Sequence, residues 1–137
     1  MKTSNQELIN RFFEGYVKRD FDLIRKVMPE EVNWSFPGNH PFSGIKKGVD
    51  EVIAFFDAMG SVMGKSNPTV TKLVDGSEGD YIIECHHIST NREDGHNIDH
   101  YICVLWTFCD DLIVSGKHFF SDPDAASAFF SKTAVEA

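Results

Sequence analysis

Between Val70 and Phe120 the chain reads as one strand after another. Four β-rich runs, Val70 to Val74, Tyr81 to Arg92, Asn97 to Cys109 and Leu112 to Phe120, are separated by DGSEGD, EDG and CDD. Those separators are turn chemistry, rich in the Gly and Asp that tolerate reversed backbone. Connections this short join antiparallel neighbours, so this half predicts a four-stranded antiparallel meander. Such a sheet has one face to bury.

The first half supplies the cover. Ser4 and Glu7 form a capping box, after which Leu8, Ile9, Phe12, Phe13, Tyr16 and Val17 recur at helical spacing. Asp20 can cap a short second helix carrying Phe21, Leu23, Ile24, Val27 and Met28, which Pro29 stops. Val32, Trp34 and Phe36 alternate with Asn33 and Ser35 as a short strand ending at Pro37-Gly38, and a Pro/Gly loop follows. Beyond Gly48, Val49, Val52, Ile53, Phe56, Met59 and Met63 stripe a third helix. Near the end, Asp122 caps a last helical turn with Pro123 at its first position. Helices first and sheet second imply an α+β domain whose three N-terminal helices cover one sheet face.

Composition excludes several roles. At 137 residues, 42% hydrophobic and 25% charged, the chain fits one domain spanning 1-137 with a core that needs no staples. A net charge of −8 leaves no basic patch for nucleic acid or an anionic membrane. There is no signal-like apolar start and no membrane span, so a cytoplasmic protein is expected. Cys85, Cys103 and Cys109 are odd in number and lack C-x-x-C spacing, and they read as reduced core or strand thiols rather than redox or zinc ligands. No metal and no cofactor are expected.

Register decides which side chains meet. With CDD as a three-residue turn, Ile102 faces His118 and His100 faces Phe120. Even pairing around Asp94-Gly95 sets Ile102 opposite His87 and His100 opposite Ser89. His87, His100 and His118 then share one inner face within roughly 5–10 Å, whereas His86 points to the other side. A one-residue slip would send His87 outward.

The segments RDFDLIRKVMPEEVNWSFPG, HPFSGIKKG, EVIAFF, NIDHYICVLWTF and GKHFFSDPDAASAF together resemble the SnoaL-like, ketosteroid-isomerase-related proteins of the nuclear transport factor 2-like superfamily. The resemblance covers nearly the whole chain. It implies a cone in which a curved, mostly antiparallel sheet wraps three helices around an apolar pocket. Trp34 and Phe36 would line that pocket, and the loop bearing His40 and Phe42 would cross its mouth. Phe12, Tyr16, Phe55 and Met59 would contribute from the helices, and Ile102, Val104 and Phe120 from the sheet. Separately, the outer sheet face would carry Ile82, Ile88, Tyr101, Cys103, Leu105, Ile113 and Phe119, mixed with Glu84, His86 and Lys117, an apolar patch that monomers seldom expose. A homodimer packed sheet against sheet is therefore expected, as in many similar proteins.

The chain departs from the family's chemistry. Steroid isomerases use an aspartate base with a tyrosine and a protonated aspartic acid as oxyanion donors. Aligned on the shared turns, those positions fall on Phe36, Phe12 and Val104, none of which transfers a proton. A steroid isomerase of that type is therefore not expected. The inward arginine of epoxide hydrolase relatives is also missing, and Asp122 suits a helix cap better than an acid. That leaves His100, His118 and His87 as candidate general acids or bases, or else as core side chains bonded to neighbours. Two readings stay open. One is a cofactor-independent isomerase or cyclase-like enzyme acting on a compact apolar carbonyl or hydroxyl ligand; the other is a non-catalytic metabolite-binding or protein-assembly domain.

Overall fold

The computed structural model describes residues 4–134, so the outermost three residues at each end of the expected 1-137 domain lie outside the described span. Helix α1 (Asn5–Lys18) starts where the Ser4 hydroxyl accepts the Glu7 N–H at 3.2 Å, and it buries Leu8, Ile9 and Phe12. It stops at Arg19, whose backbone turns left-handed. Asp20 then caps α2 (Phe21–Lys26) by accepting from the Leu23 N–H. Strands β1 (Asn33–Phe36) and β2 (Gly44–Lys47) form a short hairpin that leads into α3 (Val49–Gly64). The meander follows as β3 (Thr69–Glu78), β4 (Tyr81–Ser89), β5 (Asp99–Cys109) and β6 (Leu112–Phe120). Asp122 accepts the Ala125 N–H to begin α4 (Pro123–Thr133), which is a full helix where the sequence suggested a single turn.

Among the described residues the fold is α+β, with four helices and one six-stranded mixed sheet ordered β2-β1-β6-β5-β4-β3. Every pairing is antiparallel except β1 with β6. That parallel pair sets Trp34 opposite Gly116. A Cβ at position 116 would lie 2.3 Å from the Trp34 ring, so only glycine leaves room for the indole to lie flat across β6. No described helix is long and apolar enough to cross a membrane.

The registers differ from those read off the turns. Asp110 and Asp111 alone make the β5–β6 turn, both at positive φ, so it has two residues where CDD suggested three. A bulge between Thr107 and Phe108 then restores the parity. His118 stays on the expected face but stands opposite Val104 rather than Ile102, and Phe120 stands opposite Ile102 rather than His100.

The β4–β5 pairing is displaced by one residue. His86 faces Ile102 and Glu84 faces Val104 on the inside, while His87 faces Tyr101 on the outside. The cause lies in the connection. Asn97 Oδ1 accepts from both the Thr90 hydroxyl and the Arg92 N–H, and Arg92 clamps Asp94, so residues 90–98 form an odd-length loop. The outer face changes accordingly. Ile82, Ile88 and Ile113 are buried in the core, Glu84 and His86 turn inward, and Ile83, Val74, Tyr101 and Phe119 stand exposed.

Candidate functional site

A cavity of about 540 Å³ lies between the inner sheet face and helices α1 and α3. Its wall is mostly aromatic and aliphatic. Of the residues singled out in the sequence, Phe12, Tyr16, Phe55 and Met59 line it from the helices, and Phe36, Ile102, Val104, His118 and Phe120 from the strands.

Five others stand elsewhere. Trp34 is fully buried beside the cavity, stacked on Phe12 at 5.9 Å and edge-on to Phe56 and Trp106 at 5.0 and 5.2 Å. His40 and Phe42 organise their own loop. The His40 Nε2–H donates to the Pro37 carbonyl, Nδ1 accepts the Phe42 N–H, and burial lowers the His40 pKa. Phe42 packs against Phe130. His87 bonds Asp99 on the outer face, because the one-residue displacement of β4 turns it away from the helices. His100 is inward and buried opposite Ile88, its ring 5.4 Å from Phe120, with neither ring nitrogen hydrogen-bonded. The inner histidines are therefore His86, His100 and His118, and of these His86 and His118 line the cavity.

Sequence reasoning missed the cavity's charged groups. Glu84 is buried, and its Oε1 accepts the Trp106 Nε1–H at 3.0 Å. Its Oε2 lies 3.7 Å from Lys72 Nζ, which bonds Asp75 Oδ2 at 2.7 Å. Lys72 enters from the edge strand β3, and its bond to Asp75 is the main reason its pKa is raised. His86 is held below the usual imidazole range chiefly by burial, with Lys72 adding to the effect and Glu84 opposing it. The alternation of YIIECHHI offered a signal, since it puts Ile82, Glu84, His86 and Ile88 on one face, but the opposite face is about as apolar.

His118 has a defined protonation state. Trp34 Nε1, which can only donate, gives its hydrogen to His118 Nδ1 at 2.9 Å. That nitrogen must present a lone pair, so the neutral ring carries its proton on Nε2. Burial, with a smaller contribution from His86, pushes the His118 pKa down to about 3. At neutral pH the ring is a hydrogen-bond donor in an apolar wall. The two tryptophans thus hold one cavity group each, a carboxylate that accepts and an imidazole that donates.

An inner sheet face and two helices around an apolar cavity with a few fixed polar groups make a pocket protein, and the fold is the nuclear transport factor 2-like one. Residues 9–116 match the model of the SnoaL-like domain, and the chain belongs to that family. It is 24% identical over 126 residues to the uncharacterised protein Rv0034 of Mycobacterium tuberculosis, an alignment spanning 91% of this chain and 95% of that protein. Bal32a, from a soil-derived mobile gene cassette, superposes with a TM-score of 0.79 at 23% identity, over 92% of this chain and 95% of that one. TerC, co-crystallised with polyporic acid, does so with a TM-score of 0.73 at 19% identity, over 91% and 97%.

Proposed function

We propose that this protein is a cofactor-independent enzyme that moves a proton on a compact, mostly apolar ligand bearing a carbonyl or hydroxyl. The observation that carries the reading is the pairing of Glu84 with His118 in one apolar cavity, each fixed by a tryptophan N–H. Glu84 suits the accepting role because Trp106 takes one carboxylate oxygen at 3.0 Å, while the other faces Lys72 Nζ only at 3.7 Å, beyond hydrogen-bond distance. His118 suits the donating role, since its Nδ1 lone pair is already taken and Nε2–H is what it can offer a ligand oxygen. His86, a second wall imidazole with lowered pKa, would pass the proton on. The proton-moving role thereby passes from the histidine trio read off the sequence to a carboxylate with histidine support. TerC, which shares the fold, was co-crystallised with polyporic acid, in keeping with a small-molecule occupant.

Deuterium exchange at carbon in a panel of enolisable ketones and polyketide fragments, followed by NMR, tests the reading. Exchange that is lost in Glu84→Gln is the expected result. A panel member that binds in the cavity without exchanging would favour the metabolite-binding alternative, which the apolar Phe12, Phe36 and Val104 also fit. Exchange equally fast in wild type and Glu84→Gln would remove Glu84 from the chemistry.

A further inference from the structure

Behind the cavity wall, Cys85 on β4 and Cys103 on β5 are direct partners in the antiparallel ladder. Directly opposed residues hold their Cβ atoms about 4.5–5.5 Å apart, and their Cα spacing falls inside the range a disulfide spans. Both thiols sit on the outer face, in the same row as Val74 and Phe119, partly buried and not joined. Burial first, and a hydrogen bond with Cys85 second, push the Cys103 thiol up to about 11. The two thiols therefore face each other across the β4–β5 ladder.

We propose that Cys85 and Cys103 are a redox pair that a low-molecular-weight disulfide of the oxidised-glutathione class closes into a cross-strand bond. One cysteine thiolate attacks a glutathione sulfur, forming a mixed disulfide and releasing one glutathione thiolate. The second cysteine then attacks the protein-bound sulfur and releases the other. Two protein thiols are oxidised, one small disulfide is reduced to two thiols, and the two cysteine protons pass to the departing thiolates.

The position gives the bond a consequence. Cys85 lies between Glu84 and His86 in β4, and Cys103 lies between Ile102 and Val104 in β5, four residues that line the cavity from the other side of the sheet. Closing the pair would tie together the two strands that carry the wall. The raised thiol pKa slows thiolate formation at neutral pH and makes closure faster as pH rises.

The test uses full-length Cys109→Ser protein incubated with oxidised glutathione at mildly alkaline pH, then weighed intact and digested without reductant. A mass lower by two hydrogens, no retained glutathione and a linked peptide joining Cys85 to Cys103 is the expected result. Glutathione retained on either cysteine would overturn the proposal, as would a disulfide joining two chains. So would survival of both thiols under conditions that modify the exposed Cys109 of the unsubstituted protein.

Discussion

Trp34 and His118, 84 residues apart in the chain, share a hydrogen bond of 2.9 Å in which the indole donates to imidazole Nδ1. β1 and β6 lie side by side and Gly116 lets the indole rest across the strand, so this bond is a product of the sheet's one parallel pairing. It turns a tryptophan of the core into the residue that sets the chemical state of the cavity wall.

Replacing Trp34 with Phe keeps an aromatic ring but removes the N–H. The variant should fold with a loss of about 1–2 kcal/mol, the cost of leaving a buried acceptor unmatched. Nitrogen-15 NMR of the imidazoles should show His118 protonated at Nε2 alone in the wild type and in a tautomer mixture in the variant. An unchanged tautomer would mean that some other contact fixes the ring.

Acid should weaken the fold through His118. Above pH about 6.5 the ring is neutral in folded and unfolded chains alike. Below that, the unfolded imidazole takes up a proton that the folded one refuses until about pH 3. Stability is therefore lost as pH falls through this window, by on the order of 3 kcal/mol at pH 4.5. Urea unfolding at pH 7 and pH 4.5 should show a shallower pH dependence in His118→Leu than in wild type. Equal slopes would mean that His118 is not the titrating group.

Gly116→Ala places a methyl group into the Trp34 ring. The indole must move off β6, breaking both its stack on Phe12 and its bond to His118, so we expect a loss of about 3 kcal/mol. A melting temperature within a degree or so of wild type, with unaltered tryptophan fluorescence, would contradict this packing.

Glu84 and Trp106 separate chemistry from stability. Glu84→Gln preserves an acceptor for the indole and should melt near wild type while losing about 10²–10⁴-fold in proton exchange. Trp106→Phe keeps the carboxylate but strips its donor and should destabilise by about 1–3 kcal/mol. Paired thermal melts and exchange rates distinguish the two effects.

What the sequence revealed follows from how local each determinant is. The caps at Ser4, Asp20 and Asp122 were legible because donor and acceptor lie three residues apart. The apolar stripe of α3 was equally plain. β2 was not: Gly44–Lys47 has no alternation and becomes a strand only by pairing with β1. In α4, Ala126, Phe129 and Phe130 at helical spacing were a usable signal beyond the first turn.

The site was harder to read. Glu84 and His86 differ from Cys85 and His87 by one step of register, and that step is set by the Asn97 and Arg92 bonds inside a loop. Lys72 reaches the wall from an edge strand whose pairing shifts between Lys72 and Val74, a bulge with no marker in the sequence.

The parallel β1–β6 pairing also constrains the order in which the protein can be made. Trp34 leaves the ribosome early, but its floor at Gly116 and its acceptor at His118 emerge only after the whole meander has been synthesised. Until then the aromatic face shared by Phe12, Trp34 and Phe56 has nothing from β6 to close against. A nascent chain stopped short of β6 therefore has that aromatic cluster without its β6 partner, and final assembly waits for the last strand.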